Sequence, residues 1–304
     1  MRRLLPLLLA AAALLAGCGG DGPRGHAAPS PFAYDASAPL DLVDRGRVNH
    51  GYPVAVRDIS FTSGRDRIAA FLVEPPGRRR LPAVVYVHGS GGDRSDLLVP
   101  ATFLAGRGAV ALLIRAPSSD AAQPAGLDAA AALRWQRGVA VRDVVAVRRA
   151  VDLLDTLPSV DPRRIGYVGW SLGARTGAIA AGVEPRLKAI VLMSGGAPPV
   201  SDYLAAAPAA LRPALRPLLR AVDPLRWIAR AHRGSLLLQD GRRDTVVPHA
   251  ALAGLAAAAP AGSDVRWYPA GHALGLAAFR DQLAWLSERL PIRGPAVPGA
   301  RTEP

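Results

Sequence analysis

Gly169-Trp170-Ser171-Leu172-Gly173 is a G-x-S-x-G segment. A serine hydroxyl can serve as a nucleophile when a sharp turn exposes it and a base takes its proton. The segment follows the short apolar run 164–169 and leads into a helical pattern reaching about Ala181. It therefore reads as strand, turn, helix, the context that gives such a motif meaning. Glycine suits positions 169 and 173 because side chains two residues either side of the serine would collide in so tight a turn. The start of the following helix favours negative charge developing beside the serine. Of the six histidines, His272 is the best placed to act as the base. It lies in Ala270-Gly271-His272, just after the last strand-like run and before the closing helix. His88 ends a core strand and reads as structural, while His232 and His249 lie near a helical insertion and at a helix start. His26 lies in the tether and His50 in the N-terminal arm.

A neutral imidazole used as a base needs an acid to fix its tautomer and balance its later charge. Asp244, in Gly241-Arg242-Arg243-Asp244-Thr245-Val246-Val247-Pro248, follows the strand-like run 235–239 and is the candidate. Asp240 competes with it, but its place at the strand end suits a turn. The chain order is then serine, aspartate, histidine. His88-Gly89-Ser90-Gly91-Gly92 follows an earlier apolar run, and a glycine-rich turn there leaves backbone N–H groups without partners. The N–H groups of Ser90 and Leu172 are the candidate donors to an oxyanion. The turn after His88 matches neither GxGxxG nor GxxxxGK[ST], no metal-ligand spacing appears, and no cofactor is expected.

These groups need a scaffold that brings several loops together. Runs 53–60 and 67–74 read as an antiparallel pair turning at Ser63-Gly64. Runs 82–88, 109–114, 164–169, 189–193, 235–239 and 265–268 read as strands, several of them apolar throughout as if covered on both faces. Helices are expected at 95–106, 134–157, after Ser171 and at 274–290. Strands alternating with helices imply an α/β fold with a mostly parallel central sheet and helices on both faces. Residues 197–233, rich in Pro, Ala, Leu and Arg, read as a small helical cap. Its Leu204, Leu211, Leu215, Leu218 and Trp227 either line an apolar acyl pocket or pack the cap on the sheet.

The ends of the chain carry a separate signal. Arg2 and Arg3 precede the apolar run 4–16, too short to span a membrane comfortably, in the layout of a secretory signal peptide. The run closes on Leu15-Ala16-Gly17-Cys18, which resembles the bacterial lipobox. The resemblance implies a signal peptide over 1–17 and a lipid-modified Cys18 that attaches the exported protein to a bacterial membrane, on the periplasmic or extracellular face of the cell envelope. Residues 18–31 read as a flexible tether, 32–290 as the folded domain and 291–304 as a disordered tail. Cys18 is the sole cysteine, so the chain has no internal disulfide. The formal charge of +13 comes almost wholly from scattered arginines, since Lys188 is the only lysine. That scatter lacks the footprint of a nucleic-acid binder.

Taken together, the HGSGG turn, the segment VDPRRIGYVGWSLG, the GRRDTVVP loop and the AGH loop resemble the α/β-hydrolase superfamily over about residues 53–290. Within it they are most similar to the dienelactone-hydrolase and prolyl-oligopeptidase-like branch. Dienelactone hydrolases proper use a cysteine nucleophile where this chain has Ser171, and there is no room for an N-terminal propeller. The resemblance implies a serine hydrolase acting on small-molecule carboxylic esters through an acyl-enzyme, with Ser171, Asp244 and His272 as its triad. Peptide or amide cleavage, acyl transfer, or binding without catalysis are the alternatives on the same scaffold.

Overall fold

The computed structural model describes residues 30–48, 51–77 and 80–293. The signal segment, Cys18, nearly all of the tether and the tail beyond 293 lie outside the described residues. The chain divides into two units, Met1–Ser30 and Pro31–Pro304, and the sheet with its helices belongs to the second.

Strands and helices follow one another as β1 (Val43–Val48), β2 (Ala55–Ser63), β3 (Asp66–Glu74), β4 (Leu81–Val87), α1 (Leu98–Gly106) and β5 (Val110–Ile114). Then come α2 (Ala129–Thr156), β6 (Val160–Trp170), α3 (Leu172–Ala181) and β7 (Leu187–Met193). The cap follows with α4 (Val200–Ala206), α5 (Arg212–Ala221) and α6 (Pro224–Ile228). The chain returns to the sheet with β8 (Leu236–Gly241), α7 (His249–Ala258), β9 (Asp264–Tyr268) and α8 (Gly275–Arg289).

The strands lie in the order β1-β2-β3-β5-β4-β6-β7-β8-β9. From β5 to β9 every neighbouring pair is parallel, whereas β1, β2 and β3 join antiparallel at one side. Strand β4 illustrates why the central runs are apolar throughout. Val85 and Val87 enter the core that α2 and α3 cover, while Val84 and Tyr86 enter the core beneath α1 and α8. Alternate side chains of a strand point to opposite faces, so a strand covered on both must be apolar at every position.

Strand β5 pairs on one side of β4 and β6 on the other. The connections therefore part at the C-terminal end of β4, and a crevice opens there in doubly wound sheets. Because the strands are parallel, the loops after β4, β6, β8 and β9 all leave from that same edge. They carry Ser90, Ser171, Asp244 and His272.

The elements depart from the sequence expectations in local ways. Helix α1 begins at Leu98 rather than 95, because the Asp93 carboxylate accepts from the N–H and hydroxyl of Ser95 and holds a turn there. Helix α2 begins earlier, at Ala129, where Asp128 accepts from the Ala131 N–H at 2.7 Å and caps it. Strand β1 was not expected. Its side chains are largely exposed, a bulge interrupts it between Asp44 and Arg47, and Gly46 sits at φ 91°. Arg57 of β2 pairs with its Asp44, and Arg45 with Asp58. The opposite outer strand, β9, carries Arg266 paired with Asp264 and with Asp281 of α8.

The segment before β1 is bound to the domain. Phe32 is fully buried and meets Trp227 of the cap edge to face, with ring centres 5.3 Å apart. Arg149 of α2, itself buried, donates to the carbonyls of Ala36, Ala38 and Pro39 and pairs with Asp152.

Candidate active site

Strand β6 ends at Trp170, and Ser171 turns the chain into α3 at φ 53° and ψ −107°. That conformation is strained for a residue with a side chain and persists only where the surroundings enforce it. The Ser171 N–H donates to the Met193 carbonyl at 2.8 Å, and the Gly173 N–H donates to the His88 carbonyl at 3.1 Å. Buried Tyr167 donates its hydroxyl to the Gly173 carbonyl at 2.6 Å. The flanking glycines answer a need for space. A Cβ on Gly169 would lie 2.4 Å from the Gly173 carbonyl carbon and oxygen, and one on Gly173 would lie 2.2 Å from the Val87 oxygen. Neighbouring strands and the turn itself thus hold Ser171 in place.

The Asp244 and His272 loops are fastened to each other before their side chains meet. Arg242 donates its N–H to the Tyr268 carbonyl at 2.8 Å, and Arg243 donates to Ala270 at 2.9 Å. Across this short ladder His272 Nδ1 lies 2.8 Å from Asp244 Oδ2. The Asp244 side chain is 1% exposed and that of His272 15%. Burial alone would raise the Asp244 carboxyl. Hydrogen bonds from the Val247 and Val246 N–H groups and from His272 outweigh it and hold the group below the usual carboxylate range. An ionised carboxylate only accepts, so the bridging proton belongs to Nδ1 and Nε2 is left free to accept.

Asp240 has the opposite environment. It is buried, its Oδ2 has no partner, and desolvation with the nearby Asp244 charge pushes it up to about 7. Two neighbouring carboxyls whose affinities for protons are driven apart sort themselves into roles. Asp244 is the ionised partner of the imidazole, and Asp240, at the end of β8, keeps its proton up to about pH 7.

Two contacts on the histidine loop were not legible in the sequence. The His272 carbonyl accepts from Trp170 Nε1 at 3.1 Å and from the Ser194 hydroxyl at 2.9 Å. Trp170 immediately precedes Ser171, and its ring centre is 5.4 Å from that of His272. Ser194 is fully buried just after β7, at φ 50°. Only that positive φ marks it, and sequence carries no sign of backbone angle at a serine. Among the described residues the Ser171 hydroxyl makes no hydrogen bond to His272; such contacts are often loose until substrate arrives.

Ser90 follows Gly89 on the loop after β4 and is exposed, whereas Leu172 is the first residue of α3. Neither N–H has a hydrogen-bond partner among the described residues. His88 is tied down: its Nδ1 contacts the Gly89 carbonyl at 2.7 Å, and its Nε2 accepts from the Ala116 N–H at 3.1 Å. A buried imidazole with both nitrogens engaged joins the loops after β4 and β5 and is not available as a base.

Beneath the cap lies a cavity of about 300 Å³, lined by Leu172, Arg137, Asp143, Arg175 and Tyr203 among others. Of Leu204, Leu211, Leu215, Leu218 and Trp227, the first, third and last are buried and Leu218 lines this cavity, together with Val200, Leu219 and Val222 of the cap.

The parallel sheet, the serine turn and the loops gathered at one edge define an α/β hydrolase. The chain belongs to the dienelactone hydrolase family, whose model matches residues 68–279. As a member of that family it is a hydrolase of the esterase kind. Its fold is similar to that of acetyl xylan esterase 1 from Thermoanaerobacterium sp. JW/SL YS485, at TM-score 0.64 and 18% identity, covering 83% of this chain and 89% of that one. An acetyl xylan esterase from Paenibacillus sp. R4 superposes at TM-score 0.65 and 20% identity, covering 82% and 90%. A cold-adapted esterase from an Arctic intertidal metagenomic library gives TM-score 0.62 and 17% identity, covering 81% and 97%. At these identities the likeness is one of fold. No curated protein matches the chain.

Proposed function

We propose that this chain hydrolyses small-molecule carboxylic esters through an acyl-enzyme on Ser171, with His272 as base and Asp244 as its partner. One observation carries the reading: the 2.8 Å contact of His272 with a buried carboxylate, beside a serine held at φ 53°. His272 Nε2 takes the hydroxyl proton as Ser171 Oγ attacks the ester carbonyl. The oxyanion accepts from the N–H groups of Ser90 and Leu172. Collapse breaks the C–O bond, and His272 returns its proton to the departing alcohol. A water then repeats the two steps and frees the acid. Asp244 keeps Nδ1 protonated and balances the imidazolium. Each oxyanion donor contributes about 10²–10³ in rate.

A fluorophosphonate probe followed by peptide mass spectrometry tests the nucleophile. Labelling at Ser171 that disappears in Ser171→Ala and His272→Ala is the expected outcome. A folded domain that takes no label would sink the assignment and leave a binding protein on a hydrolase scaffold. Turnover of p-nitrophenyl esters, set against matched anilides and an added alcohol acceptor, separates ester hydrolysis from amide cleavage and acyl transfer.

The same reading extends to location. We propose that Cys18 becomes the lipid-modified N-terminus of an exported protein held on a bacterial membrane in the cell envelope. The support is the lipobox-like LAGC ending of the signal segment and the sole cysteine falling within it. Two or three acyl chains anchor firmly, since each buried methylene adds about 0.8 kcal/mol. Cys18→Ser is expected to move the protein from the membrane to the soluble fraction and to abolish incorporation of radiolabelled palmitate. Unchanged fractionation would refute the anchor.

A further inference from the structure

A second cavity, of about 390 Å³, opens on the other side of the serine turn from the cap. Its walls include Leu97 just before α1 and Phe103 within it, Trp170 and Met193 at the ends of β6 and β7, and Leu274 and Phe279 around the start of α8. Gln282 is its one polar lining side chain. It adjoins the reacting groups at three points. Trp170 precedes Ser171, the Met193 carbonyl accepts the Ser171 N–H at 2.8 Å, and Leu274 lies two residues beyond His272. The cavity under the cap touches the turn through Leu172 instead; its wall is largely apolar, with Leu133, Ile179 and Leu218, but it also carries Arg137, Arg175, Asp143 and Asp223. The serine turn thus stands between a cleft with one polar lining side chain and a cavity whose apolar wall carries two arginines and two aspartates.

The apolar cleft leaves hydrocarbon in water. Val99 is 50% exposed, Phe103 58% and Leu276 74%, and all three line it. Phe103 meets Phe279 edge to face at 5.6 Å, which braces the rim across the opening between α1 and α8. Wet apolar side chains beside a nucleophile gain by covering a hydrocarbon chain.

We infer that the apolar chain of the ester lies in the cleft between α1 and α8, and that the cap side receives the smaller or more polar arm. This assignment rests on the esterase reading for its chemistry. Every methylene buried there raises kcat/KM by about fourfold until the cleft is filled. Preference for chain length is therefore set by Phe103 and Leu276, not by the leucines of the cap.

The test is the double variant Phe103→Ser/Leu276→Ser, at positions exposed enough to leave folding intact. Two substrate series, p-nitrophenyl acyl esters and alkyl acetates, each run from two to eight carbons. The expected result is a gain per methylene falling from about fourfold to below twofold in at least one series. Arg175→Gln, on the cap side, is expected to leave that gain unchanged. Binding of octan-2-one to the Ser171→Ala protein, followed by tryptophan fluorescence, reads the cleft without chemistry. It is expected to weaken at least tenfold when the double variant is added. Equal binding and an unchanged chain-length profile, or a profile flattened by Arg175→Gln instead, would overturn the assignment. A failure of all ester turnover with octan-2-one still lost in the double variant would strike the esterase reading and leave the cleft as an apolar binding site.

Discussion

Asp240 and Asp244 leave the same strand four residues apart, yet one keeps its proton and the other does not. In the folded chain Asp240 holds a proton up to about pH 7, against the ordinary carboxyl value of 3.8. Folding therefore takes up a proton between those limits. The stability this contributes is complete below pH 4 and is lost as pH climbs to 7, after which the profile is flat in this group. Charging the buried carboxyl costs at most about 4 kcal/mol. Asp240→Asn is expected to match the native protein in urea unfolding at pH 4 and to exceed it at pH 8. An equal difference at both pH values would show that the carboxyl does not titrate within the fold. The sequence favoured Asp244 over Asp240 through position in a loop. The physical ground is different and lies in which carboxylate finds N–H donors, a matter of the loop's conformation.

The elements that deliver the site meet with almost no space between them. Gly173 packs its α-carbon against the carbonyl of Val87. Gly173→Ala is expected to cost about 3 kcal/mol or more, because backbone meets backbone and neither side can swing away. Gly254 in α7 is the contrast, with nothing within 4 Å of an added Cβ. Gly254→Ala is expected to raise stability by about 0.5–1 kcal/mol through helix propensity and a less disordered unfolded chain. Thermal unfolding of the two variants gives opposite signs if spacing, and not glycine content, governs the turn. The central strands and the serine turn could be read from sequence because their burial forces a continuous apolar run such as LPAVVYV in β4. β1 could not, since VDRGRV is mostly exposed and obtains its order from the neighbour it pairs with. The cleft was equally hidden. Residues around Phe103 and Phe279 each read as an ordinary helix, and nothing local says that the two face each other.

Across the whole molecule, the N-terminal arm is part of the domain from Phe32 onward. Arg149 holds it through three carbonyls, Arg148 donates to the Phe32 carbonyl at 2.8 Å, and the Tyr34 hydroxyl donates to Asp152 of α2. Arg149→Met leaves those carbonyls without their donor, while Asp152 keeps Arg186 and the Tyr34 hydroxyl; a loss of about 1–3 kcal/mol is expected from the unsatisfied acceptors. The variant is expected to be cut by proteases within residues 31–40 while its esterase site, at the far ends of the strands, keeps its activity until the domain melts. Unaltered proteolysis would mean that Phe32, Tyr34 and Arg148 retain the arm without Arg149.

The two outer strands of the sheet have a further consequence. A free strand edge is a template for any extended chain, and crowding on a surface raises the chance of such pairing. Here β1 breaks its own ladder at Gly46 and is lined with Asp44, Arg45 and Arg47, while β9 carries the Asp264–Arg266 pair. A neighbour's strand laid along either rim would lose register at the bulge or bury unshared charge. Packed densely side by side, copies of this domain are protected at both margins from growing their sheets into one another.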